Sequence, residues 1–131
     1  MDNIVDQLVT VLGEDRSIAF AYLFGSCAHR GEVKAGSDID IAVFFLEAPH
    51  LDRIYALMKK LEAVFGEDVI DLLVLNDCEN YVLRNEVLKG TLIFCRAQEA
   101  HAGFFSWTLR MYEDEMLHTG KYFTAQSQKH V

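Results

Sequence analysis

The stretch Ile18-Ala19-Phe20-Ala21-Tyr22-Leu23-Phe24-Gly25-Ser26, followed after eleven residues by Asp38-Ile39-Asp40-Ile41-Ala42-Val43-Phe44-Phe45, sets the architecture. Ile18 to Phe24 is an unbroken apolar run of strand length, ended by Gly25-Ser26, and reads as a buried strand followed by a turn. Asp38 to Phe45 reads as a second strand. Its first and third residues are acids, although Asp is depleted from strands. Alternation along a strand places Asp38 and Asp40 on one face and Ile39, Ile41 and Val43 on the other. Two carboxylates ~7 Å apart repel and are costly to bury unpaired. A divalent cation answers both objections, and paired carboxylates on a rigid strand, with phosphate oxygens, are what Mg²⁺ sites use.

Asp71 lies in the apolar run Val69 to Leu75, a third strand. If that strand lies beside 38–45, three carboxylates converge. Two metal ions held by such a cluster form the apparatus of in-line phosphoryl or nucleotidyl transfer. Gly25-Ser26 supplies the complement: Gly lets the backbone approach a phosphate, and the Ser hydroxyl and following N–H groups can donate to it. Arg30 and Lys34 in the intervening loop are the nearest cations for the remaining phosphate charge.

The rest of the chain alternates in period. Ile4, Val5, Leu8, Val11 and Leu12 fall at helical spacing, with Gly13 as a stop. Pro49 stands where a helix can begin, and Leu51, Ile54, Tyr55, Met58, Leu61 and Phe65 form one apolar stripe stopped by Gly66. Asn76 or Asp77 can cap a helix carrying Val82, Leu83, Val87 and Leu88 and ended by Gly90, with Arg84 and Glu86 on its solvated face. Thr91 to Cys95 is a short last strand. A helix over about 98–119 carries Phe105, Leu109, Tyr112 and Met116 on one face, and a polar tail, 120–131, follows. Two strands succeed one another without a full helix between them. The fold class is therefore α+β: a mixed sheet of about four to five strands flanked by helices, in a single domain over 1–131.

Composition narrows the function. Twelve Lys plus Arg against twenty Asp plus Glu give a net charge of -8, which opposes tracking along nucleic acid. No apolar run approaches the ~20 residues that cross a bilayer, so no membrane association is expected. The acidic start lacks the pattern of a signal peptide. Cys27, Cys78 and Cys95 are odd in number and far apart, which favours reduced thiols and a cytoplasmic location.

The Gly-Ser, spacer, Asp-x-Asp pattern resembles the DNA polymerase beta-type nucleotidyltransferases. The chain length and the stretch Val82-Leu83-Arg84-Asn85-Glu86-Val87-Leu88-Lys89-Gly90 are similar to the minimal nucleotidyltransferases, the MNT or MntA-type antitoxins of HEPN/MNT toxin–antitoxin pairs. The resemblance covers roughly 20–95 and implies a nucleotidyltransferase fold and transfer of AMP from ATP to a hydroxyl with Mg²⁺, two ions being expected. Residue by residue, it implies that Gly25, Ser26 and Arg30 bind nucleotide. Asp38, Asp40 and Asp71 ligate metal, and Asp71 helps deprotonate the attacking hydroxyl. It further implies a cognate HEPN ribonuclease toxin as partner, in a hetero-oligomer, with a toxin tyrosine as acceptor. Two alternatives use the same chain differently: a non-catalytic antitoxin acting by binding and occlusion, and a nucleotidyltransferase for a small hydroxylated molecule.

Overall fold

A computed structural model describes residues 4–25 and 39–130, with side chains of the last helix described as far as Leu117. Ser26, Arg30, Lys34 and Asp38 lie outside the described residues.

Four strands, β1 (Ile18–Phe24), β2 (Ile39–Phe45), β3 (Ile70–Val74) and β4 (Thr91–Cys95), form one sheet in the order β3-β2-β1-β4. β1 runs antiparallel to both β2 and β4, while β2 and β3 are parallel. The mixed sheet read from the sequence is therefore present, with four strands among the described residues. Among the described residues four helices accompany it: α1 (Ile4–Gly13), α2 (Leu51–Phe65), α3 (Tyr81–Leu88) and α4 (Gln98–His130).

The helices divide between the two faces of the sheet. On one face, Ile4, Leu8 and Leu12 of α1 and Leu57 and Leu61 of α2 pack on Ile39, Ile41, Val43 and Ile70. On the other, Val87 of α3 and Phe104 of α4 pack on Ala19, Phe20, Tyr22 and Ala42. β1 is buried on both faces, which explains why its sequence does not alternate. Phe20 anchors the second layer: its ring stacks on Phe44 at 5.1 Å between centroids and meets Phe104 at 5.3 Å. Burying a ring of this size contributes about 1.5–3 kcal/mol.

Several local expectations are corrected by tertiary context. The third helix is capped by Asn80, whose side chain accepts from Leu83 N at 3.0 Å, not by Asn76 or Asp77. Asn76 instead continues the β2–β3 ladder with its side-chain amide: Phe45 N donates to its Oδ1 at 2.9 Å, and its Nδ2 donates to Phe45 O at 2.9 Å. The second helix starts at Leu51 with His50 as its N-cap, one residue beyond Pro49. Val82 is 45% exposed, whereas Arg84 is buried. Arg84 Nε donates to Thr108 Oγ1 at 2.9 Å and Nη1 to the Cys78 carbonyl at 3.2 Å, and the guanidinium lies 4.3 Å from the Phe104 ring centroid. Burial pulls its pKa below the usual arginine value. Arg84 thus ties α3 to α4 rather than facing water, because a planar cation can be buried when its donors are matched and its faces lie on aromatic rings. Glu86 is exposed as read and pairs with Lys89 at 3.2 Å.

The last helix continues to His130 instead of ending near Thr119. A lone Gly120 costs a helix only about 1 kcal/mol, too little to stop it by itself. Phe104 enters the core, whereas Phe105 and Trp107 remain 44% and 46% exposed. Cys78 and Cys95 are free thiols. No helix among the described residues is long and apolar enough to cross a membrane.

Candidate active site

The end of β1 and the starts of β2 and β3 meet at one edge of the molecule. The sheet register fixes what stands there. Asp40 is the pairing partner of Phe24 on β1 and of Asp71 on β3. Paired residues on neighbouring strands share a face and lie about 4.8 Å apart in the ladder direction. Asp40 and Asp71 therefore stand side by side on the face that carries α3 and α4. The intervening residues Ile39, Ile41 and Ile70 enter the opposite core. The alternation read from the sequence holds for every described residue of β2.

The next row on the same face is Tyr22, Ala42 and Leu73. Ala42 and Tyr22 are buried, so the acids stand at the rim of a hydrophobic layer. Asp71 is exposed and Asp40 half-buried. The backbone register of β2 and β3 sets the spacing of the two Cα positions that carry the carboxylates. Ile39 N donates to Val69 O at 2.7 Å and Leu75 N to Val43 O at 2.8 Å, closing the β2–β3 ladder at both ends.

Gly25 follows β1 with φ 76°, and a Cβ at this position would collide with the carboxylate of Asp40. The position therefore requires glycine twice: for its left-handed backbone and for the space that Asp40 occupies. Gly90 has a related duty. It stands directly after Lys89, the C-cap, where the sequence placed the end of α3, and its N–H donates to Val87 O at 2.9 Å. A Cβ on Gly90 would strike the Leu23 carbonyl and lie 3.0 Å from Phe24 Cα. The end of α3 is thus pressed against the last turn of β1, immediately before Gly25.

Of the site residues read from the sequence, Gly25, Asp40 and Asp71 are brought together. Ser26, Arg30 and Asp38 lie outside the described residues. Among the described residues no group of three or more His, Cys, Asp or Glu is placed to hold a metal ion; Asp40 and Asp71 are a pair in register. Two hard oxygen donors in register, one of them solvent-facing, suit Mg²⁺ with a phosphate completing its shell.

Sequence reasoning missed the contact beneath the site. Tyr22 OH and His101 Nε2 of α4 are 2.6 Å apart, and the two rings stack at 5.7 Å. Burial raises the Tyr22 pKa. A tyrosine inside an apolar strand is itself the signal, since a buried hydroxyl needs a partner; the sequence could not say which of the five His supplies it.

The profile of the polymerase beta nucleotidyltransferase family matches residues 6–99. No curated protein sequence matches the chain. Solved structures similar in fold include a mutant MntA toxin–antitoxin complex, at 22% identity and TM-score 0.73, covering 94% of this chain and 98% of that one. A toxin–antitoxin structure with AMP-PNP is similar at 20% identity and TM-score 0.72, covering 95% and 98%. A Shewanella oneidensis tri-AMPylated HEPN toxin in complex with MNT antitoxin is similar at 21% identity and TM-score 0.67, covering 94% and 95%.

Proposed function

The chain belongs to the polymerase beta nucleotidyltransferase family, and from that premise we propose that it is an antitoxin adenylyltransferase, moving AMP from ATP to a tyrosine hydroxyl of a cognate HEPN toxin in the cytoplasm and so silencing it. The observation that carries this reading is the register: Asp40 and Asp71 side by side on neighbouring strands, against a glycine whose missing Cβ leaves Asp40 its place. The acceptor is inferred from the similar structures, which include an AMPylated HEPN toxin with its MNT antitoxin.

In this reading Gly25, Ser26 and Arg30 bind the triphosphate of ATP. Asp38, Asp40 and Asp71 would hold Mg²⁺, two ions in all, which supplies neutralisation of phosphate charge and a lowered pKa for the acceptor hydroxyl. Asp71, at the open edge, faces the side from which an acceptor can approach and accepts the proton of its hydroxyl. The acceptor oxygen bonds to the α-phosphorus, the bond from that phosphorus to the bridging oxygen breaks, and pyrophosphate leaves. The strands hold the acids at fixed spacing, so alignment of the reacting atoms is in place before they meet.

The test is to incubate the chain with its cognate HEPN toxin, ATP and Mg²⁺ and to weigh the intact toxin. The toxin should gain one or more AMP masses, and Asp40→Asn should abolish the gain. An unchanged toxin mass with the wild-type chain overturns the proposal. So does full protection of cells by the Asp38→Asn/Asp40→Asn variant at equal expression, which would make occlusion sufficient.

A further inference from the structure

The apolar stripe of α2 is only partly covered by its own chain. Sequence periodicity placed Leu51, Ile54, Tyr55, Met58, Leu61 and Phe65 on a single buried face. In the fold Leu61 is buried, joined by Leu57, while Leu51 is 83% and Tyr55 63% exposed. With Ile54 and Met58 they form one wall of a groove of about 450 Å³, whose other wall is Ile70, Asp71 and Leu72 of β3. β3 is an edge strand of the sheet, paired on one side with β2. An exposed patch of large apolar side chains at one place marks an interaction surface.

Two features decide what binds there. Asp71 lines the groove as part of the edge strand and carries its carboxylate on the opposite face of that strand, in the candidate active site, so whatever fills the groove lies across the strand edge from that carboxylate. The groove is also acidic in its free charge. Lys59 is engaged with Glu62 at 3.5 Å and lies over the Tyr55 ring, and Arg53 pairs with Asp15 at 3.5 Å. Asp52 and Asp71 are exposed beside it, on a chain of net charge -8. A second copy of the chain would bring the same acids face to face. A partner with an apolar anchor and a basic rim is complementary.

We infer that the groove between α2 and β3 is the docking surface for the acceptor protein, which seats apolar side chains against Leu51, Tyr55 and Leu72 and surrounds them with basic residues. The inference rests on the adenylyltransferase reading, since it identifies the occupant as the protein whose hydroxyl must reach Asp71.

The experiment uses the full chain with Leu51→Asp, alone and with Tyr55→Asp, and Leu117→Asp on α4 as a matched exposed control. Asp at the first position of a helix is well tolerated, so the fold is retained. The probes are the cognate HEPN toxin and AMP-PNP. The groove variants should keep the wild-type melting temperature and AMP-PNP affinity, and lose toxin affinity by at least about tenfold, as for a central apolar anchor. The control should bind toxin as wild type does. Toxin binding unaffected by both groove variants overturns the inference, as does self-association of the wild-type chain that Leu51→Asp abolishes while toxin binding persists. If the groove variants lose the toxin and the wild-type chain binds it without adding AMP, the docking surface stands and the transfer reaction falls. If the groove variants transfer AMP at the wild-type rate, the reaction stands and the docking surface falls.

Discussion

Replacing Gly25 by Ala tests the geometry that joins the backbone to the acid pair. Two costs are separable. An L-residue held at φ 76° costs about 1–2 kcal/mol relative to glycine. The new methyl would also lie 3.2 Å from Asp40 Cγ and 3.4 Å from its Cβ, and nearer still to the carboxylate oxygen. Relieving that overlap requires a changed rotamer or a shifted strand end, about 1–3 kcal/mol. The sum, about 3 kcal/mol, should lower the melting temperature by about 10 °C in a domain of this size. In an Asp40→Ala background the second cost disappears and the first remains. The double-mutant cycle should therefore return a coupling of about 1–3 kcal/mol, read from urea unfolding of the four proteins. A cost of Gly25→Ala that is the same in both backgrounds would show that Asp40 does not occupy the glycine's empty side, and the proposed site geometry would fall with it. AMP transfer should drop with the single variant in parallel, because the same displacement moves Asp40.

Arg84→Met should keep the packing on Phe104 but leave the buried Thr108 hydroxyl and the Cys78 carbonyl without their donor, costing about 2–4 kcal/mol in urea unfolding; adding Thr108→Val should recover part of that loss. Tyr22 gives a pH prediction. Its folded pKa is raised by burial, so above about pH 10 the unfolded chain releases this proton first and stability falls as pH rises further. Tyr22→Phe should flatten the decline in melting temperature between about pH 9.5 and 11; an equally steep decline would refute the assignment.

The acid pair was legible in the sequence for a simple reason. Strand alternation is a property of the local backbone, so Asp40 facing away from Ile39 and Ile41 follows from spacing alone. That Asp71 stands opposite Asp40 is not local: it depends on β3 lying parallel to β2 in one register, and a slip of one residue would turn Asp71 into the α1 and α2 core. The burial of Arg84 was not legible because it depends on Thr108 and Phe104, twenty or more residues away, while periodicity sees only its charge. Gly90 reads as a helix stop and stands directly after the C-cap, but its second duty, close approach to β1, depends on tertiary packing that composition does not show. Asn76 carried the sequence signal of a cap, yet its amide serves better as a surrogate for strand backbone opposite Phe45.

By itself, then, the sequence determined the order and kind of the elements, the central burial of β1 and the face on which Asp40 stands, since all of these follow from period and local sterics. The tertiary structure alone decided that Asp40 and Asp71 are neighbours, that Gly25 must yield its side-chain space to Asp40, and that Leu51 and Tyr55 of the apolar stripe of α2 are left open. Those outcomes depend on which distant segments pack together, and burial is shared between segments rather than written in any one of them.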